Sequence, residues 1–243
     1  MGPSSGAATK KLVFVMILAA IGFFILAARI VVLIHDLPLY YSIEVAQATA
    51  TTHTLARLEN GLTSFHDDFG DYPPSDKEHM AARPYGYQNL AFYLCGPDGQ
   101  GWGGRAGGTM PFGGTNEQIF GPYFEKGGEW SENHPAAGVS DAFRPPKPIL
   151  YFRAEPTEDP VFDAADNSLD PTGREGFASQ EHFEMLARRA DGQWVRRDYL
   201  LISAGPDRLF GYVVMDKKSG RLRPARPEEK EKACCNDVTN FKH

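Results

Sequence analysis

The run LVFVMILAAIGFFILAARIVVLI, from Leu12 to Ile34, constrains this chain more than any other feature: 23 residues with one charge, Arg29. As a helix it would be roughly 34 Å long, enough to cross a hydrocarbon core of about 30 Å. A secretory signal has an apolar core of about 7–15 residues followed by a small-residue cleavage site. Here the uninterrupted run extends to Ala28, and the nearest such site, Ala46-Gln47-Ala48, lies far beyond it. A buried helix of a soluble domain normally shows a polar face, and none precedes Arg29. Residues 12–34 are therefore expected to form a transmembrane helix. Near the end of that span, the long stem of Arg29 can carry its guanidinium to the interface.

Lys10 and Lys11 flank the span, and no acidic residue precedes Asp36, so a cytoplasmic tail of residues 1–11 and an extracytoplasmic body are expected. Of 25 Lys+Arg, only Lys10, Lys11 and Arg29 lie in residues 1–34; the other 22 face 31 Asp+Glu. A body this acidic repels nucleic acid, whose phosphates demand the opposite sign.

Beyond the span, Leu55, Leu58, Leu62, Phe65 and Phe69 recur at spacings of three and four, which predicts one helical stripe packed in a core. Gly70 and Pro73-Pro74 stop it. The helical spine is placed over 35–74, with Pro38 bending its start. A short helix is expected from Tyr87 to Leu94. Then 13 of the 25 glycines fall between Gly96 and Gly138, interspersed with Trp102, Phe112, Phe120, Tyr123, Phe124 and Trp130. That composition predicts an irregular middle over 75–147, a long loop pinned by aromatics. Strands are expected at Pro148–Phe152, Gln193–Ser203 and Phe210–Met215, and a helical turn or two at Glu181–Arg189. Residues 156–175 read as a surface excursion. The fold class is α+β: a helical spine packed on a small antiparallel sheet that fills 148–243 with a C-terminal loop.

No enzyme signature emerges. Gly99-Gln100-Gly101-Trp102-Gly103-Gly104 matches G-x-G-x-x-G, but a helix precedes it and more glycine follows, so no strand feeds the loop. The seven histidines form no close metal pair. His66-Asp67-Asp68 with Asp71 reads as a solvated helix end, and Ser203 lacks the glycine of a nucleophile elbow. Cys95, Cys234 and Cys235 would face an oxidising compartment, where Cys95 could bridge to either neighbour, or all three could stay reduced. A bridge between the adjacent pair would be strained.

Two stretches carry a family resemblance. The helix ending Phe65-His66-Asp67-Asp68-Phe69-Gly70-Asp71-Tyr72-Pro73-Pro74 resembles the F-x-x-D-x-G-x-Y-P transition of type II secretion pseudopilins, above all the G-type members. Leu201-Ile202-Ser203-Ala204-Gly205-Pro206-Asp207, with Asn236-Asp237-Val238-Thr239-Asn240-Phe241, resembles their closing strand, S-x-G-P-D loop and final element. The resemblance covers 12–74 and 197–241 and leaves the middle unmatched. It implies a non-enzymatic, pilin-like structural component of a type II secretion or related filament apparatus in the cytoplasmic (inner) membrane. Such a component would be single-pass, with a periplasmic body and with other pseudopilins as partners. It also implies calcium in the C-terminal loop region, which maps to Asp207, Asn236 and Asp237. The processing signal is atypical, because Gly22-Phe23 sits in mid-span and no Glu precedes Glu44. The alternative is an anchored extracytoplasmic binding module that does not polymerise, in which the aromatic, Gly-rich loop grips a ligand.

Overall fold

The computed structural model describes residues 22, 41–76, 84–96, 99–103, 119–125, 138–155, 157 and 160–241. The chain divides into two compact units, Met1–Ala46 and Gln47–His243. In the first, Gly22 and residues 41–46 are helical. The expected span 12–34, apart from Gly22, and the flanking Lys10, Lys11 and Arg29 lie outside the described residues. Among the described residues no helix is long and apolar enough to cross a membrane.

The second unit opens with α1 (residues 47–69), whose stripe behaves as its spacing predicts: Leu55, Leu58, Leu62 and Phe65 are at most 2 % exposed. Gly70 ends it in the left-handed region at φ 76°, its N–H reaching the His66 carbonyl at 2.7 Å. Next come α2 (Gly86–Cys95), β1 (Leu150–Arg153) and α3 (Gln180–Ala187), the last capped by Ser179 Oγ, which accepts from His182 N. They are followed by β2 (Tyr199–Ser203), β3 (Val213–Met215), β4 (Leu222–Pro224) and β5 (Val238–Thr239).

The larger sheet is antiparallel in the order β1-β2-β5, with Leu150 opposite Ile202 and Ser203 opposite Val238. β3 and β4 form a separate hairpin. Successive strand residues point to opposite faces, and both faces are covered. Tyr151, Tyr199 and Leu201 pack with the stripe of α1 and with Leu90 and Leu94 of α2. Leu150, Phe152, Leu200 and Ile202 pack with Phe162, Phe177, Phe183, Leu186 and Phe210. The mixed α+β class with a small antiparallel sheet therefore holds, but the sheet is sandwiched between two cores instead of packing on one helix. Burial on both faces is why β2 reads as continuously apolar.

Several boundaries differ from the sequence reading. The strand expected over 193–203 begins only at Tyr199. Upstream, Arg196 folds back, its guanidinium on Asp198 at 3.0 Å and on Glu59 of α1 at 2.7 Å, which takes that stretch out of the ladder. The strand expected from Phe210 begins at Val213, because Gly211 turns the chain at φ 82° and sends Phe210 into the core. Tyr87–Leu94 lengthens by one residue at each end. Trp102 is buried, its indole N–H donating to the Tyr93 carbonyl at 2.7 Å, so it braces the core and offers no surface to a ligand. Phe112 and Trp130 lie outside the described residues.

Candidate metal centre

β2 ends at Ser203, opposite Val238 of β5, and the Ala204-Gly205-Pro206-Asp207 turn follows. Only glycine fits at 205: φ is 63°, and a Cβ there would strike the Asn236 carbonyl. That close approach sets the 203–211 segment against the 235–237 segment.

A buried polar knot holds the turn from below. Asp141, with a fully buried side chain, accepts from Ser203 Oγ at 2.8 Å, from Arg208 Nη1 at 2.8 Å and from Lys147 N at 3.0 Å. Arg208 also donates to the Gly205 carbonyl at 3.0 Å. To reach both acceptors it occupies the left-handed region at φ 63°, unusual for a residue with a side chain. Its remaining nitrogens, Nε and Nη2, are buried without a hydrogen-bond partner.

Above the knot sit two carboxylates from opposite ends of the motif. Asp207 Oδ1 accepts from Leu209 N at 3.0 Å, and Asp237 Oδ2 accepts from Gly211 N at 2.8 Å. The other oxygen of each, Asp207 Oδ2 and Asp237 Oδ1, is sealed from solvent and has no partner. Burial pushes the Asp237 carboxyl well above the usual carboxylate range, and the charge of Asp207 adds to the push. Burial likewise raises Asp207, with the Leu209 amide and the Arg208 charge opposing it. Next to the pair, burial and then the Asp237 charge push the Cys235 thiol up to about 12.

Two like charges buried side by side are costly unless a proton or a cation sits with them. Hard carboxylate oxygens are of the kind calcium takes, and this pair would supply two of the roughly six to eight oxygens that ion gathers. The fit rests on Asp207 and Asp237. Asn236 is exposed and meets the turn through its backbone carbonyl. Among the described residues, no group of three or more His, Cys, Asp or Glu side chains is placed to hold a metal. Further oxygens would have to come from backbone or water.

The other candidates resolve into structure. No disulfide joins the cysteines, because Cys95 and Cys235 lie in different cores. Cys95 Sγ lies 3.0 Å from the Phe124 carbonyl on the α1 side of the sheet, whereas Cys235 packs on the other side and Cys234 is exposed. The acidic end of α1 is solvated as expected, Asp67 and Asp68 being exposed, and its side chains also pair with neighbours. Asp68 accepts from Tyr123 Oη at 2.6 Å, Asp71 pairs with Arg153 at 2.7 Å, and the His66 ring lies 4.7 Å from that of Tyr72. His182 is a satisfied core histidine. Its Nδ1 accepts from Ala178 N, so Nε2 carries the proton it shares with the Tyr212 carbonyl, and burial lowers its pKa.

Sequence reasoning missed Asp141 and Arg208. Asp141 stands in an irregular stretch, and its side-chain partners lie 62 and 67 residues away. A comparison of the chain with family models, curated proteins and solved structures finds no match.

Proposed function

We propose that this chain is a membrane-anchored, pseudopilin-like structural component of a type II secretion or related filament apparatus. In this reading residues 12–34 hold it in the cytoplasmic membrane and the body stands on the periplasmic side. It acts by assembly with other pseudopilins and not by catalysis. Asp207 and Asp237 bind calcium, which locks the C-terminal segment onto the end of β2.

One observation carries the reading most directly. The S-A-G-P-D turn and the N-D-V-T-N-F segment, far apart in sequence, meet at β5, each bringing one carboxylate with an orphaned oxygen. The stripe of α1 on one face of an antiparallel sheet supports it further. A calcium ion there would supply the charge that the two buried carboxylates lack, leaving the chain's own groups to orient them: the Leu209 and Gly211 amides and the Gly205–Asn236 contact.

The test is mass spectrometry of the mature N-terminus of the chain purified from its own membranes, together with cross-linking of intact membranes. The expected result is an intact N-terminus and cross-links to further copies or to other pilin-like subunits. An intact N-terminus with no copurifying or cross-linked subunit would overturn the assembly reading.

A further inference from the structure

A cleft of about 900 Å³ opens beside the turn, bordered by Lys147, Arg174, Arg208, Arg221 and Arg223, with Glu175 and Asp207 as its acids. Five cations against two acids make it opposite in sign to a chain whose net charge is −6. Some of that charge is committed. Arg223 forks onto Glu229 at 2.7 and 2.8 Å, and Arg208 is held by Asp141. The rest is not. Lys147 Nζ donates to the Arg174 carbonyl, which cancels no charge. Arg174 and Arg221 are exposed, and among the described residues neither makes an ion pair.

The walls indicate what the cleft can hold. Pro145, Pro171 and Leu209 line it between the cations, giving an apolar surface of fixed shape. A phosphate would look first for clustered backbone amides. At the 170–175 turn those amides are filled by the chain's own carboxylate. The Thr172 hydroxyl and the N–H groups of Thr172, Arg174 and Glu175 donate to Asp170 at 2.6 to 3.1 Å, which lowers its pKa to about 2. An incoming anion must therefore be held by guanidinium and ammonium groups on flexible stems above an apolar floor. That combination suits carboxylate side chains on an extended backbone.

We propose that this cleft docks an acidic peptide segment of a partner protein, with its carboxylates on Arg174, Arg221 and Lys147 and its aliphatic stems on the proline-lined floor. The proposal does not rest on the calcium or the filament reading, although Asp207 borders the cleft and the Lys147 charge acts on it.

The test uses the full-length chain in a non-ionic detergent. A fluorescein-labelled peptide alternating Glu with Pro or Ala is titrated by fluorescence anisotropy, beside its Gln counterpart. Inorganic phosphate and phosphatidylglycerol vesicles serve as rival anions. The Glu peptide should bind and weaken as salt rises, and the Gln peptide should not bind. The double charge reversal Arg174→Glu/Arg221→Glu should cost about tenfold or more in affinity, while Arg174→Gln/Arg221→Gln costs less. Both variants should keep the wild-type melting temperature, because both side chains are exposed. Equal affinity of the Glu peptide for wild type and the charge-reversed variant would overturn the proposal. So would binding of the Gln peptide, or no Glu-peptide binding at low salt. Phosphate or vesicle binding that is lost in the variant while the peptide stays inert would reassign the cleft and overturn it equally.

Discussion

Replacing Asp237 by Asn removes a charge but almost no volume, and it leaves an oxygen for the Gly211 amide that the carboxylate now accepts at 2.8 Å. In the metal-free protein Asp237 has a pKa well above its ordinary 3.8. A carboxyl whose folded pKa is raised contributes stability that is present below the unfolded value and lost as pH rises toward the folded one. Compared at two assay pH values, about 5 and about 7.5, wild type in EDTA should be the weaker at the higher one through this pair, and the Asn variant should escape that part of the loss. Calcium reverses the sign for wild type, because a divalent ion needs both carboxylates ionised, so its stabilisation should grow with pH. At a hundredfold excess over Kd the gain is about 2.7 kcal/mol. For a folded unit of this size that is roughly 5–11 °C in Tm. Differential scanning fluorimetry of both proteins, with calcium and with EDTA at the two pH values, measures it. Asp237→Asn should match or exceed wild type in EDTA at the higher pH and show no calcium shift. A calcium shift of equal size in the variant, or none in wild type, would refute the reasoning.

Three further outcomes follow from other parts of the structure. Asp166 is pushed up to about 6 by burial, while the hydroxyl of Ser75 donates to it; its folded pKa is raised, so it weakens the fold as pH climbs from 3.8 to about 6. Asp166→Asn should flatten urea-denaturation stability across that window, and an unchanged slope would count against the assignment. Arg208→Ala leaves Asp141 charged, buried and short of one donor, and should cost about 3–5 kcal/mol; a loss below about 1 kcal/mol in equilibrium unfolding would show that the knot does not hold the turn. In native protein under reducing conditions, iodoacetamide should label Cys234 first, because Cys95 is buried and the Cys235 thiol is held at about 12. Peptide mapping that finds Cys95 labelled as fast would contradict the packing of α2.

Where the sequence reading succeeded, the signal was local. The stripe from Leu55 to Phe69 is a period, Gly70 a stop, and Ala204-Gly205-Pro206-Asp207 a turn; each needs only its neighbours along the chain. Where it erred, a contact from elsewhere prevailed. Residues 193–198 carry strand-like chemistry, yet the Arg196 guanidinium finds Glu59, 137 positions away, and the ladder starts later. β4 and β5, of three and two residues, are too short to show a pattern of their own. They exist because β3 and β2 offer edges to pair with. The carboxylate pair of the proposed calcium site was legible only through the resemblance, which pointed to Asp207 and Asp237 but also included Asn236, whose side chain is exposed.

By itself, then, the order of residues determined that a long apolar run precedes an acidic body, that a helix with one apolar stripe leads it, and that apolar strands and a glycine turn close it. Those are properties of neighbours a few positions apart. The tertiary structure decided that the sheet has two buried faces, that Cys95 and Cys235 never meet, and that Asp207 and Asp237 each keep one oxygen sealed from solvent without a partner. It also gathered Lys147, Arg174 and Arg221, which no spacing connects, around one cleft. Burial and electrostatic potential are sums over neighbours in space, and the fold alone chooses those neighbours.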